Sequence, residues 1–208
     1  GMERESFFHA LNQKSIARKA AKLLGKTYEE ARLIVIHMGG GVSVAAHENG
    51  LAVDDFNVKD EGAFGMDRAG SLPVNAMINL CFSGLTKQEV KKLLGSEAGA
   101  YSYVGTKDFR EVERRAFEEN DPDCRMVFDA MAYQLAKDIG AMAAVLKFQV
   151  DAIVYTGGMA YSDRFTQAIT DYVGNLAPVL RLPGEEEMRS LAEGALRVLH
   201  GEQAKVYP

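Results

Sequence analysis

The chain has 208 residues, enough to bury a sizeable core as one large domain or two small ones. Its net charge of −5 argues against nucleic acid as the main partner, and 47% hydrophobic with 25% charged residues is an ordinary globular balance. No apolar run approaches the roughly 20 residues that span a bilayer, no signal-peptide pattern is present, and Cys81 and Cys124 stand outside any metal spacing, so a reduced, cytoplasmic chain is expected.

Gly1 precedes a start methionine, Met2, and reads as a tag remnant. Ile16, Ala17, Ala20, Leu23 and Leu24 then fall on one side of a predicted helix over 12–24, stopped by Gly25. An apolar strand follows and runs into Gly39, Gly40 and Gly41. A second strand leads to Asn49-Gly50, a strong hairpin signal, and a third ends near Asp55. The glycines allow a tight bend whose amides converge on one spot, a concavity suited to phosphate. A flexible hairpin turn that binds nothing is the alternative.

Residues 56–72 read as a glycine-rich loop. Helices are predicted over 73–81 and 87–94, the latter from the capping box Thr86 to Glu89, and Asp108 to Glu111 opens another to about 119. Asp121-Pro122 starts a long helix reaching 147, whose broad apolar face includes Met131, Leu135 and Ile139. Its methionines read as core filler. A strand over 150–155 ends in Thr156-Gly157-Gly158. A helix over 162–175, a strand over 179–182, a Pro183-Gly184 turn and a helix over 185–200 complete the chain. The order is α/β: three strands, helical insertions, then strand and helix twice. It is the order of the ribonuclease-H-like (actin-like ATPase) domain. One domain over 1–208 is expected, with 3–25 a connecting helix.

Several segments, in this order and spacing, carry a resemblance. They are Phe8 to Gln13, His37 to Ser43, Glu61-Gly62 with Arg68 to Gly70, Gly105 to Asp108, Ala130 to Gln134, Thr156 to Gly158 and Pro183 to Met188. Together they resemble the butyrate kinases of the acetate kinase family. Other acetate kinases carry asparagine in the middle of the glycine turn. The resemblance implies phosphoryl transfer between ATP and a short or branched carboxylate to give an acyl phosphate, chemistry in which the protein mainly positions groups and neutralises charge.

It also implies site residues. Gly39, Gly40 and Gly41 would cradle ATP or ADP phosphates. Arg68 and His9 would act on the transferred phosphoryl group; read without the resemblance, they are a loop arginine and a histidine packed beside aromatics. Asp108, Phe109 and Arg110 would contact the adenosine, where the bland reading is a capped helix start. Gly157 and Gly158 would let the nucleotide lie against backbone, flanked by Ala160 and Tyr161, so that Gly157→Val abolishes binding with the fold intact. Glu187 would support Mg²⁺ through water, with Glu186 as the fallback; the alternative is that the Glu185 to Glu187 run complements a helix N-terminus. His37 reads as buried and structural, and His47 and His200 have no evident role.

The resemblance covers the second of two family domains. The first domain, with its phosphate loop and acyl-facing groups, is expected to be absent from a truncated reading frame. The chain alone is then expected to fold, bind Mg·ATP or ADP weakly and form no acyl phosphate. A catalytically dead nucleotide-binding module and, less closely matched, half of a sugar kinase are the alternatives. The family pairs through its second domains, so a homodimer built on the C-terminal helices, the helix over 122–147 among them, rather than on the uncovered cleft is expected, with no nucleic-acid or membrane partner.

Overall fold

The computed structural model describes residues 4–59, 61–185, 187–201 and 203. Five strands form one sheet: β1 (Leu33–Met38), β2 (Val42–Glu48), β3 (Leu51–Phe56), β4 (Ala152–Thr156) and β5 (Val179–Arg181), in the order β3-β2-β1-β4-β5. β1 pairs antiparallel with β2 and β2 with β3, whereas β4 and β5 run parallel to β1. The expected three-strand meander and two crossover strands are therefore present. The helices are α1 (Ala10–Leu23), α2 (Val74–Cys81), α3 (Lys87–Gly95), α4 (Gly99–Val104), α5 (Phe109–Phe117), α6 (Pro122–Val145), α7 (Asp163–Val173) and α8 (Glu187–Leu199).

The three central strands, β1, β2 and β4, are buried on both faces. Because strand side chains alternate, Ile34, Ile36 and Met38 of β1 join Val42, Val44 and Ala46 of β2 in the larger core under α4 to α7. Leu33 and Val35 face the other way, against Ile16, Ala17, Ala20 and Ala21 of α1. His37, Ser43 and His47 share that second parity, which sets buried polar groups opposite α1. α1 is thus a packed layer of the domain, and α8 lies beside it.

α6 is capped by Asp121, whose carboxylate accepts from the amides of Asp123 and Cys124, with Pro122 in the first turn. Most of its apolar breadth is consumed at home. Met131, Ala132, Leu135, Ala136, Ile139, Met142 and Ala143 are all buried in the large core. Each such large side chain removed from water contributes about 1.5–3 kcal/mol. The other side of α6 still exposes Met126, Tyr133 and Val145. Further exposed apolar side chains lie on α2 and its C-cap (Val74, Ile78, Phe82) and on α8 (Met188, Leu191, Leu196, Leu199).

α4 was not predicted. Gly99 begins it at φ +61, and a Cβ there would lie 2.2 Å from the Gly65 carbonyl and 2.8 Å from that of Arg68. Only glycine lets this turn close onto the loop carrying Arg68.

Candidate active site

β1, β4 and β5 run parallel, so their C-terminal ends meet at one edge, where ligands bind in open α/β sheets. Three turns converge there. Gly39–Gly41 follow β1, Gly157 and Gly158 follow β4, and Pro183 to Glu185 follow β5. Gly157 N–H donates to the Gly184 carbonyl at 3.2 Å and Gly184 N–H returns the bond at 3.1 Å, tying two of the turns together. Beside them opens a cleft of about 910 Å³, lined by Gly39, Gly40, Met66, Lys107, Asp108, Phe109, Arg110, Glu113, Gly158, Met159, Tyr161, Ser162 and Glu185.

The glycine turn is narrower than expected. Gly39 N–H turns inward to the Gly41 carbonyl at 3.1 Å, so the amides left for a ligand are those of Gly40 and Gly41. None of the three has positive φ; space is what requires glycine. A Cβ on Gly39 would lie 3.1 Å from Glu185 Oε1 and 3.2 Å from His37 Nε2. A Cβ on Gly41 would lie 2.6 Å from Val58 Cγ2, 3.2 Å from Arg68 Nη1 and 3.6 Å from His9 Cε1. Gly40 meets nothing within 4 Å and faces the cleft. Arg68 and His9, 59 positions apart in sequence, therefore converge on Gly41 (68 − 9 = 59).

Separate elements deliver these two groups. His9 is the residue before α1, and the strand-like segment leading to it is anchored to residues 54–61. Arg4 pairs with Glu61 and Asp54, Glu5 O accepts from Asn57 at 2.7 Å, and Phe7 O accepts from Val58 N–H at 3.0 Å. Arg68 sits in the loop after β3 and donates to the Val58 carbonyl at 3.3 Å. That loop is held from α6. Asp138 Oδ2 accepts from Ala63 N–H at 2.6 Å and Gln134 Oε1 from Phe64 N–H at 3.1 Å. One helical turn thus clamps two successive loop amides.

His9 stacks on His37, ring centroids 3.8 Å apart. Burial, then the charge a protonated His37 would carry, lowers His9 to about 4. Burial lowers His37 to about 4 as well. Both imidazoles are neutral near pH 7. Beneath them lies a buried polar layer that the sequence did not announce. Asn12 Nδ2 lies 2.6 Å from His37 Nδ1, His9 Nδ1 lies 2.9 Å from Ser43 Oγ, and Gln13 and His47 continue from Ser43.

The other expected positions separate into three groups. Asp108, Arg110, Gly158 and Tyr161 line the cleft, and Phe109 does so from the core, stacked against Phe128 and Phe165. Asp108 caps α5 and pairs with Arg110 through both carboxylate oxygens. Ala160 is fully buried in the large core and does not line the cleft, because the 3₁₀ turn over Gly158–Tyr161 rotates it inward; Met159 and Ser162 stand there instead. Gly157 is likewise a framework residue. It adopts φ +86, and a Cβ would lie 2.4 Å from the Met38 carbonyl. Gly157→Val would break the strand ends rather than fill an adenosine site, which corrects the expectation; Gly158, with nothing within 4 Å, is the open position. Glu186 and the side chain of Glu187 lie outside the described residues. The carboxylate the fold sets beside Gly39 is Glu185, 3.2 Å from His37 Nε2.

Residues 3–188 match the acetokinase family. The chain belongs to that family. It is 47% identical to butyrate kinase 1 of Clostridium acetobutylicum over 207 residues, covering 98% of this chain and 58% of that protein. The acetate kinase of Porphyromonas gingivalis shares the fold at a TM-score of 0.83 with 22% identity, over 92% of this chain and 55% of that one. A propionate kinase from Francisella tularensis does so at 0.79 with 21% identity, over 89% and 53%. The chain thus spans little more than half the length of these relatives, and its fold is that of the actin-like ATPases.

Proposed function

We propose that this chain is the nucleotide-binding half of a short-chain carboxylate kinase. It would move phosphoryl between ATP and butyrate or a branched acid, with the acyl-facing groups supplied by the other half of the full-length enzyme. The observation that carries the reading is the convergence of Arg68 and His9 on Gly41, next to Gly39 and Gly40 of a cleft also lined by Asp108, Arg110 and Tyr161. Gly40 and Gly41 amides would receive phosphate oxygens. Gly158 and Met159 would floor the nucleoside, with Tyr161 at its side.

In phosphoryl transfer the protein positions the groups and stabilises charge spread over the equatorial oxygens. The Arg68 guanidinium offers a planar pair of donors to those oxygens. A neutral His9 donates one further N–H and takes no proton. Among the described residues no group of three acidic, histidine or cysteine side chains could hold a metal ion. Such a donor set fits Mg²⁺ carried mainly by nucleotide phosphates and water, with Glu185 and Glu187 as outer carboxylates. When bound, the ion would neutralise charge on the phosphates.

A hydroxamate assay tests the reading. The chain alone with Mg·ATP and butyrate should stay at background. Co-expressed with the first half of the Clostridium relative it should form butyryl hydroxamate, and Arg68→Ala should lower that rate by roughly 10²-fold or more. Clear turnover by the chain alone, or an unchanged Arg68→Ala rate, would contradict the proposal.

A further inference from the structure

Five polar groups lie in a row between α1 and the sheet: Tyr28, His47, Gln13, Ser43 and His9. The first four are buried. The Tyr28 hydroxyl lies 2.8 Å from His47 Nδ1, and His47 Nε2 lies 3.3 Å from Gln13 Oε1. Gln13 Nε2 lies 3.2 Å from the Ser43 carbonyl and 3.1 Å from Ser43 Oγ. Ser43 Oγ lies 2.9 Å from His9 Nδ1.

The bond directions in this row follow from one carbonyl and one buried hydroxyl proton. A backbone carbonyl can only accept, so the Gln13 group facing the Ser43 carbonyl is the amide nitrogen, not the oxygen. Gln13 Oε1 then faces His47 Nε2, which must carry a hydrogen to donate. The neutral His47 ring therefore has its lone pair on Nδ1, and Tyr28 O–H donates to it. On the other side Gln13 Nε2 also donates to Ser43 Oγ. That fixes one acceptor role on the hydroxyl; Oγ keeps a second lone pair, but among the described residues the buried Ser43 proton has no acceptor other than His9 Nδ1, so it points there. A neutral His9 with Nδ1 accepting carries its hydrogen on Nε2.

We propose that Tyr28, His47, Gln13 and Ser43 are positioning residues: a one-way chain of donors that locks His9 as an Nε2–H donor toward the phosphoryl end of the cleft. The proposal rests on the functional reading of His9 given above, but the lock itself does not require it. Its chemical logic is selection between two faces of one ring. An imidazole lone pair presented to phosphoryl oxygens repels them, and an N–H attracts them. The stacked His37 ring fixes the plane of His9, and the chain fixes which nitrogen carries the proton. Burial holds His47 down to about 3 and so keeps it neutral and able to pass the pattern on. Each link is an ordinary hydrogen bond, yet every member is buried, so leaving one unmade is costly and the pattern is cooperative.

Nitrogen NMR of the intact chain, labelled with ¹⁵N in its histidine rings and recorded at pH 7.5, reads the tautomers without nucleotide or turnover. The expected result is His9 and His47 each as a single Nε2–H tautomer, with Nδ1 showing the shift of an unprotonated acceptor. In Gln13→Met the Ser43 hydroxyl loses the donor that orients it, so it can turn to accept from His9 Nδ1–H as readily as to donate. The two His9 nitrogens should then move toward each other as the tautomers mix, while the amide spectrum stays folded. A hydrogen on Nδ1 of His9 or His47 in the unmodified chain, or averaged shifts there, would overturn the lock whether or not Gln13→Met folds. So would a folded Gln13→Met chain whose His9 pattern is unchanged. Failure of the kinase reading leaves these spectra as expected, so the two claims separate.

Discussion

At the scale of single residues, the three turn glycines and the two that follow β4 divide by what a Cβ would meet. Gly40 and Gly158 face open space, whereas Gly157 sits against the Met38 backbone at φ +86. Gly40→Ala should therefore lower Mg·ADP affinity by about tenfold or more, roughly 1.4 kcal/mol, with thermal stability unchanged. Gly157→Ala should destabilise the fold by more than about 1 kcal/mol, since strain at positive φ adds to a backbone clash. Paired thermal melts and titrations check this. Equal stability losses in both variants would remove the distinction between lining and framework. The sequence marked all these glycines alike, because a glycine run reports freedom but not which neighbour approaches. It did not single out Glu185, which the turn after β5 brings to Gly39. The register of a turn with no periodicity is invisible in one dimension.

At the scale of elements, most of the fold was legible. Alternation and hairpin chemistry gave the meander. Both strong caps are real: Thr86 and Glu89 bond reciprocally, and Asp121 caps α6. Asp108 caps α5, but Glu111 turns to the Thr106 hydroxyl instead of completing a box. What stayed hidden were features made by distant partners. α4 has no cap or apolar period and forms because Gly99 nests on the Arg68 loop. His47 had no evident role because its partners Tyr28 and Gln13 lie 19 and 34 positions away.

The clamp from α6 onto the Arg68 loop was hidden for the same reason. Burial raises Asp138 to about 6, against the bond from Ala63 N–H. Asp138→Leu leaves that amide buried without its acceptor. The loss should be about 1–3 kcal/mol in urea unfolding. In the co-expressed enzyme, turnover should fall together with that of Arg68→Ala. Full stability in Asp138→Leu would show that the loop holds its shape without α6.

At the scale of the molecule, two buried histidines and the half-buried His9 set the response to acid. His9 and His37 are lowered to about 4 and His47 to about 3, each from 6.5, so the unfolded chain takes up protons before the folded one. Stability is then fully present above pH 6.5 and falls as pH drops toward 4. Asp138 opposes this between about 6 and 3.8, where the folded chain takes the proton first. Three groups against one give a net loss on the order of a few kcal/mol between pH 7 and pH 4.5. Urea midpoints across that range should fall steadily; a flat profile would contradict the burial of the three rings. Association belongs to this scale too. Val74 and Ile78 of α2 and Phe82 at its C-cap recur every four residues and are 74%, 50% and 86% exposed. An apolar stripe of this kind favours self-association. The homodimer implied by the family should therefore run through α2, and Phe82→Asp should shift light scattering toward the 22.7 kDa monomer. A dimer unaffected by that change would place the interface elsewhere.

The central claim is that the cleft at the ends of β1, β4 and β5 receives a nucleotide with its phosphates at Gly40 and Gly41. Calorimetric titration of the chain with Mg·ADP tests it most directly. The account predicts saturable one-to-one binding, weakened by Gly40→Ala and by Gly158→Val while both variants melt like the parent. No heat of binding at millimolar nucleotide, from a chain shown by its melt to be folded, would contradict it.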